Sequence, residues 1–233
     1  MNDIIRTIRN TFAPIHKEGH LYVGIGVVLT IILGSLWSPF GWIGTIITIW
    51  ICYFFRDPVR VSPVDEKLII SPADGRVSMI TKAIPPEEMD LPKEPMVRIS
   101  VFMNVFDCHV NRSPAAGTIK QIKYSPGVFL NAELDKASDE NERNAFVLET
   151  EYGKIGFVQI AGFVARRIVS FVDEGKKLQA GERFGLIKFG SRLDVYIPDT
   201  ANILVGVGQR AIAGETVLAS MEENSGERVF RSA

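Results

Sequence analysis

Three side chains have the types that a base-activated nucleophile requires: Asp74 in "SPADGRV", His109 in "DCHVNRSP" and Ser191 in "GLIKFGSRLDVYIP". In such a set the imidazole takes the hydroxyl proton while a carboxylate orients the ring. His16 and His20 lie in the N-terminal segment, so imidazole chemistry in the rest of the chain must use His109. Each residue also has an ordinary use. Asp-Gly is common turn composition, a histidine at a strand end is often structural, and Gly190-Ser191 reads as a bulge or turn within a strand. Asp107 competes with Asp74 for the carboxylate role, because at i−2 on a strand it shares a face with His109. The order Asp, His, Ser is weak by itself, since a chain of 233 residues holds many such triples.

The elements that must position these residues are strands. Val97, Ile99, Val101, Met103 and Val105 alternate in "MVRISVFMNVFDCHVNRSP", and the prolines at 58, 63 and 72 favour short strands over a helix. "FVLETEYGKIGFVQIAGFVARRI" reads as two strands joined at Tyr152-Gly153-Lys154, a hairpin. "KAIPPEEMDLPKEP" reads as an exposed loop, and "LDKASDENERNAF" as a surface loop or short helix. "EGKKLQAGERFGLI" and "VGQRAIAGETVLA" share the pattern G-x-x-x-x-A-G-E, with Gly175 and Gly181 matching Gly208 and Gly214. Both copies predict strand, tight turn, strand, the layout of flattened β-barrels that carry lipoyl or biotinyl groups. The expected fold is mainly β, a domain of β-hairpins or a flattened barrel; no helical pattern alternates with the strands as a parallel α/β sheet would need.

Before this domain the chain changes character. From Leu21 to Phe55 no residue is charged, so the run escapes the roughly 2.5–3.5 kcal/mol that a charge costs at a bilayer centre. As one helix it would be about 52 Å long, well beyond the ~30 Å hydrocarbon layer. Ser38-Pro39 breaks it into Leu21–Trp37 and Phe40–Phe55, each about 25 Å long. Trp37, Trp42, Trp50, Tyr53 and Phe55 are available as interfacial anchors. Arg6, Arg9 and Lys17 precede the run and Arg56 and Arg60 follow it, a distribution suited to a hairpin with both ends in the cytoplasm. Its length, and the lack of an A-x-A-like site after it, fit a cleaved signal peptide poorly. A spanning hairpin and a shallower re-entrant insertion both remain open. The expected division is residues 1–20 as a basic segment, 21–55 as the hydrophobic membrane segment and 56–233 as the catalytic domain.

A formal charge of −1, without a basic block, argues against nucleic acid as a partner. Cys52 and Cys108 form no CxxC pair and the histidines do not cluster, so neither a zinc site nor a disulfide is expected. Reduced thiols suit a catalytic domain on the cytoplasmic side of the cell membrane.

In order along the chain, "YFFRDPVR", "SPADGRV", "FMNVFDCHVNRSP", "VQIAGFVARRI", "GLIKFGSRLDVYIP" and "GQRAIAGETVLA" resemble the short prokaryotic form of phosphatidylserine decarboxylase, over Phe54 to about Ala219. That resemblance implies a zymogen. Ser191 would attack the Gly190 carbonyl, and autocatalytic cleavage would leave a beta chain ending at Gly190 and an alpha chain, residues 191–233, capped by a pyruvoyl group made from Ser191. The cofactor would be this covalent pyruvoyl, with no metal. Phosphatidylserine would condense with it as an imine, lose carbon dioxide and leave as phosphatidylethanolamine. The resemblance assigns Ser191, His109 and Asp74 to catalysis. Longer members carry another histidine where this chain has Arg112, a candidate for the substrate phosphate or carboxylate. Beta and alpha chains stay partners, and a homo-oligomer is left open. Two rival readings also stand: a membrane-bound Ser/His/Asp hydrolase, and a β-barrel carrier whose modifiable lysine would be Lys176 or Lys177.

Overall fold

Proline lacks the amide that would continue a helix, and the apolar run divides at Pro39. The computed structural model describes residues 13–127, 141–162, 167–188 and 191–223. Helix α1 (His20–Leu36) follows a 3-10 turn at Lys17–Gly19, Trp37 is extended (φ −161°, ψ 126°), and α2 (Ser38–Phe54) begins with the proline in its first turn. The two helices pair through small residues. A Cβ built on Gly34 would lie 3.2 Å from the Gly41 Cα, and one on Gly44 only 2.7 Å from Thr30 Oγ1. Thr30 Oγ1 and Thr48 Oγ1 are 3.2 Å apart, and each also bonds its own helix, at Gly26 O (2.7 Å) and Gly44 O (2.8 Å). Gly26, Thr30 and Gly34 form an i, i+4 ridge of the small-xxx-small kind found between helices in lipid. The larger apolar side chains are left on the outside, and no residue of α1 is buried. Lys17–Leu36 is long and apolar enough to cross a membrane. This hairpin belongs to one compact unit, Met1–Val59, and the strands to a second, Arg60–Ala233.

The strand unit is mainly β, as expected. Its strands are β1 (Leu68–Ile70), β2 (Gly75–Ala83), β3 (Met96–Met103), β4 (Val110–Arg112), β5 (Gly117–Ser125), β6 (Arg143–Thr150) and β7 (Gly153–Ala161). They continue as β8 (Arg167–Ser170), β9 (Lys177–Leu178), β10 (Arg183–Lys188), β11 (Ser191–Ile197), β12 (Ala201–Ile203), β13 (Arg210–Ala211) and β14 (Val217–Glu223). An antiparallel eight-stranded sheet runs β13-β2-β3-β11-β7-β6-β5-β9, curled as a half-barrel, with two three-stranded sheets, β1-β14-β12 and β4-β10-β8. The alternation in β3 separates two cores rather than core from solvent. Ile99, Val101 and Met103 join Leu193, Val195 and Phe157 on one side, while Met96, Val158 and Tyr196 meet Met89 on the other. Met89 belongs to the stretch expected to be an exposed loop. It is buried because Gly156 leaves space: a Cβ there would lie 2.6 Å from Met89 Cε. The β6–β7 hairpin forms as expected, turning at Glu151-Tyr152. Of the charged stretch from Leu134 to Phe146, residues 134–140 lie outside those described, and from Arg143 it is β6.

The A-G-E repeat is a repeat of structure as well. Gly181 and Gly214 both have φ 79°, in the left-handed region that glycine adopts most readily. Each turn feeds a second duplication: Ser71-Pro72-Ala73-Asp74-Gly75 and Ser113-Pro114-Ala115-Ala116-Gly117. Gly214 N donates to Ser71 O at 2.8 Å and Gly181 N to Ser113 O at 2.9 Å. Ser71 Oγ bonds Ala73 O, and Ser113 Oγ bonds Ala115 O, both at 2.7 Å. The copies then exchange bonds reciprocally, Ile70 N to Pro114 O (2.8 Å) and Arg112 N to Pro72 O (2.9 Å). Such an exchange is the mark of an approximate internal two-fold.

Candidate active site

Ser191 is fully buried and lies in β11, the strand between β3 and β7. Its backbone pairs with Met103 on one side and Ala161 on the other. Its hydroxyl is directed at Met103 Sδ, 3.9 Å away. The same sulfur faces Asn111 Nδ2 at 3.6 Å, and Asn111 Oδ1 accepts from Gln159 Nε2 at 2.8 Å. A line of buried polar groups therefore runs inward from the serine, through positions that the sequence alone did not single out. Gly190, the other half of the expected cleavage site, lies outside the described residues.

His109 stands just before β4 and is also fully buried. Ile187 N donates to its carbonyl at 3.3 Å, which continues the β4–β10 pairing. The backbone of residue 109 is thereby set beside Ile187, four residues ahead of Ser191 in the chain. Its Nδ1 lies 3.0 Å from the backbone carbonyl of Asp107. A hydrogen on Nδ1 donates to that carbonyl and leaves the lone pair of a neutral ring on Nε2.

The two rival carboxylates are both placed elsewhere. Asp107 Oδ1 pairs with Arg210, and its Oδ2 accepts from Asn104 N at 2.9 Å, closing the turn that leads to His109. Asp107 thus meets the imidazole through its backbone and not through its carboxylate. Asp74 accepts from Arg60 Nη2 on both oxygens, at 2.9 and 2.7 Å, and from Ala213 N at 2.8 Å. Asp74 still sits at the serine end of the sheet. Gly75 is built against the Phe102–Met103 backbone, where a Cβ would fall 2.1 Å from Phe102 O, and Met103 pairs with Ser191. Arg112 is buried, with Nη1 donating to Gly181 O at 2.9 Å.

Sequence reasoning missed Arg60. The available signal was the Ser-Pro-Ala-x-Gly duplication, which carries Asp74 in one copy and Ala116 in the other and so marks the acid as dispensable to the turn. Also missed was the buried pair on β11, where Arg192 Nη2 donates to Asp194 Oδ2 at 3.0 Å. Burial, with the Asp194 carboxylate beside it, pushes the Tyr196 phenol well above its ordinary range. Among the described residues no three His, Cys, Asp or Glu side chains converge as metal ligands would.

The family model for phosphatidylserine decarboxylase matches residues 47–219, a range that includes all the candidate residues above.

Proposed function

The chain belongs to the phosphatidylserine decarboxylase family and decarboxylates phosphatidylserine; from that premise we propose that it makes its own cofactor by breaking the backbone between Gly190 and Ser191. The observation that carries the reading is the setting of Ser191: buried, within a central strand, and in register with its neighbours along seven described positions of β3 and six of β7. A serine that serves water-driven hydrolysis needs access to an incoming substrate. A serine that attacks its own chain needs only its neighbour. Pairing on both sides would also hold the new chain end in register after the bond breaks.

In the proposed sequence, Ser191 Oγ adds to the Gly190 carbonyl carbon as its proton passes to His109 Nε2. The C–N bond breaks as that proton reaches the nitrogen, leaving an ester and a free amine on residue 191. Loss of the Cα proton then expels the Gly190 carboxylate and leaves dehydroalanine. This tautomerises, and one water replaces the nitrogen as ammonia, giving the ketone. A positioned base contributes about 10²–10⁴-fold to such steps. Asp74 completes the set, its negative charge at the same end of the sheet favouring the imidazolium formed when His109 takes the proton. The same histidine returns a proton to the substrate carbon in the mature enzyme. The group would sit at the buried position 191 of β11, a setting that fits a small, uncharged ketone. Once formed, the pyruvoyl carbonyl supplies an electron sink for the pair released as the Cα–carboxylate bond of the headgroup breaks.

The finer assignments follow from the same reading. Arg112 would meet the substrate phosphate or carboxylate while its Nη1 is held by Gly181 O. The apolar hairpin would keep the site at the lipid surface on the cytoplasmic side, since each buried methylene of a diacyl lipid is worth about 0.8 kcal/mol and the lipid will not come out to the enzyme. The beta and alpha chains would remain one enzyme.

Intact mass of the full-length protein tests the reading. Two chains divided at 190/191, the smaller without a free amino terminus, are expected, and Ser191→Ala is expected to give one chain and no carbon dioxide. A single unbroken wild-type chain that still releases carbon dioxide from phosphatidylserine would overturn it.

A further inference from the structure

Arg60, in the segment "YFFRDPVR", has no assignment in the chemistry above, yet its side chain reaches the Asp74 carboxylate. One nitrogen, Nη2, meets both oxygens at 2.9 and 2.7 Å, with the two side chains only 13% and 8% exposed. The segment that carries it is laid against the two A-G-E turns. A Cβ on Gly181 would lie 1.9 Å from Ser62 Oγ, and one on Gly214 3.5 Å from Arg60 Cβ. Val61 N, between them, donates to Glu215 Oε1 at 3.2 Å.

We infer that Arg60 is a positioning residue: it sets the orientation of the Asp74 carboxylate at the Ser191 end of the sheet and acts on the reaction only through Asp74. The internal duplication separates this from a role in folding. The turn Ser113–Gly117 makes the same backbone and hydroxyl bonds as Ser71–Gly75 with Ala116 in place of the acid. The turn therefore forms without a carboxylate and without a cation to meet it. An acid and its arginine in one copy alone serve something other than the turn. With three hydrogen bonds from two donors on its two oxygens, Asp74 is held in one rotamer, and orientation of a catalytic group is worth large factors in rate.

The inference rests on the self-cleavage reading, and its test separates the two. Full-length protein in detergent is followed by mass as the chain splits at 190/191, and the first-order rate is compared among variants. Arg60→Ala is expected to slow splitting by about 10- to 100-fold. Arg60→Lys is expected to recover most of the rate, because a single nitrogen makes both contacts and an ammonium can replace it. In an Asp74→Asn background, Arg60→Ala is expected to add no more than about a twofold loss. If Arg60→Ala gives no cooperative melt, Arg60→Gln takes its place in the same cycle. A wild-type chain that never splits removes the self-cleavage reading and this inference with it. A wild type that splits beside an Arg60→Ala protein of equal rate, or losses that multiply in the Asp74→Asn background, overturns the role of Arg60 alone.

Discussion

Asp194→Asn provides a quantitative test of how β11 is held. Arg192 and Asp194 stand two apart on this strand, on the face opposite Ser191, and their side chains are 1% and 0% exposed. Arg192 Nη2 bonds Oδ2 at 3.0 Å, and Nε lies 2.9 Å from Oδ1. Two unit charges about 3 Å apart attract by on the order of 5 kcal/mol at an effective dielectric near 20. Drying both groups offsets much of that, so the intact pair contributes little net stability. Removing one partner is another matter. The asparagine takes the carboxylate charge away from a buried guanidinium, which costs about 3–5 kcal/mol. At roughly 2–4 °C per kcal/mol for a domain of this size, Tm should fall by about 6–20 °C. The assay is thermal unfolding of the full-length protein in detergent, in a Ser191→Ala background so that every variant is one chain. Arg192→Met combined with Asp194→Met should regain most of the loss, since that replacement removes both charges. A fall of less than about 2 °C, or a double variant less stable than the single one, would refute the reasoning.

Glu88 supplies a pH test. Burial works to raise its pKa, but the hydrogen bond from Arg143, with that cation's charge and Ser125, outweighs it and holds the carboxyl below the ordinary 4.5. A depressed folded-state pKa means stability that is present above pH 4.5 and lost as pH falls through the lower folded value. The Tm difference between wild type and Glu88→Gln should therefore be constant near neutrality and shrink on acidification below that range. In the hairpin, cysteines at positions 34 and 41, in a Cys52→Ser background, should oxidise to a disulfide, because a Cβ built on either residue lies 3.0 to 3.2 Å from the other's Cα. Loss of thiol labelling at both positions checks it, and persistent labelling would separate the helices. Arg112→Ala should raise KM for the lipid or slow chain splitting; if both are unchanged, Arg112 touches neither the headgroup nor the machinery.

Local chemistry made part of this molecule readable. The helical hairpin and its break follow from an uncharged run interrupted by Pro39, and both are properties of consecutive residues. The A-G-E turns were legible for the same reason, since a left-handed backbone at Gly181 and Gly214 favours glycine at those two places. Met89 was misread because its burial depends on Gly156, a residue on a strand far along the chain.

Residue types by themselves offered a candidate nucleophile, one candidate histidine for it within the strand unit, and acids nearby in sequence. Tertiary structure alone decided which groups meet. It set β11 between β3 and β7, gave the Asp107 backbone to His109, and turned the Asp74 carboxylate toward Arg60. The physical reason is register. Antiparallel pairing between distant segments is chosen by the burial of whole faces at once, and no single residue carries that choice.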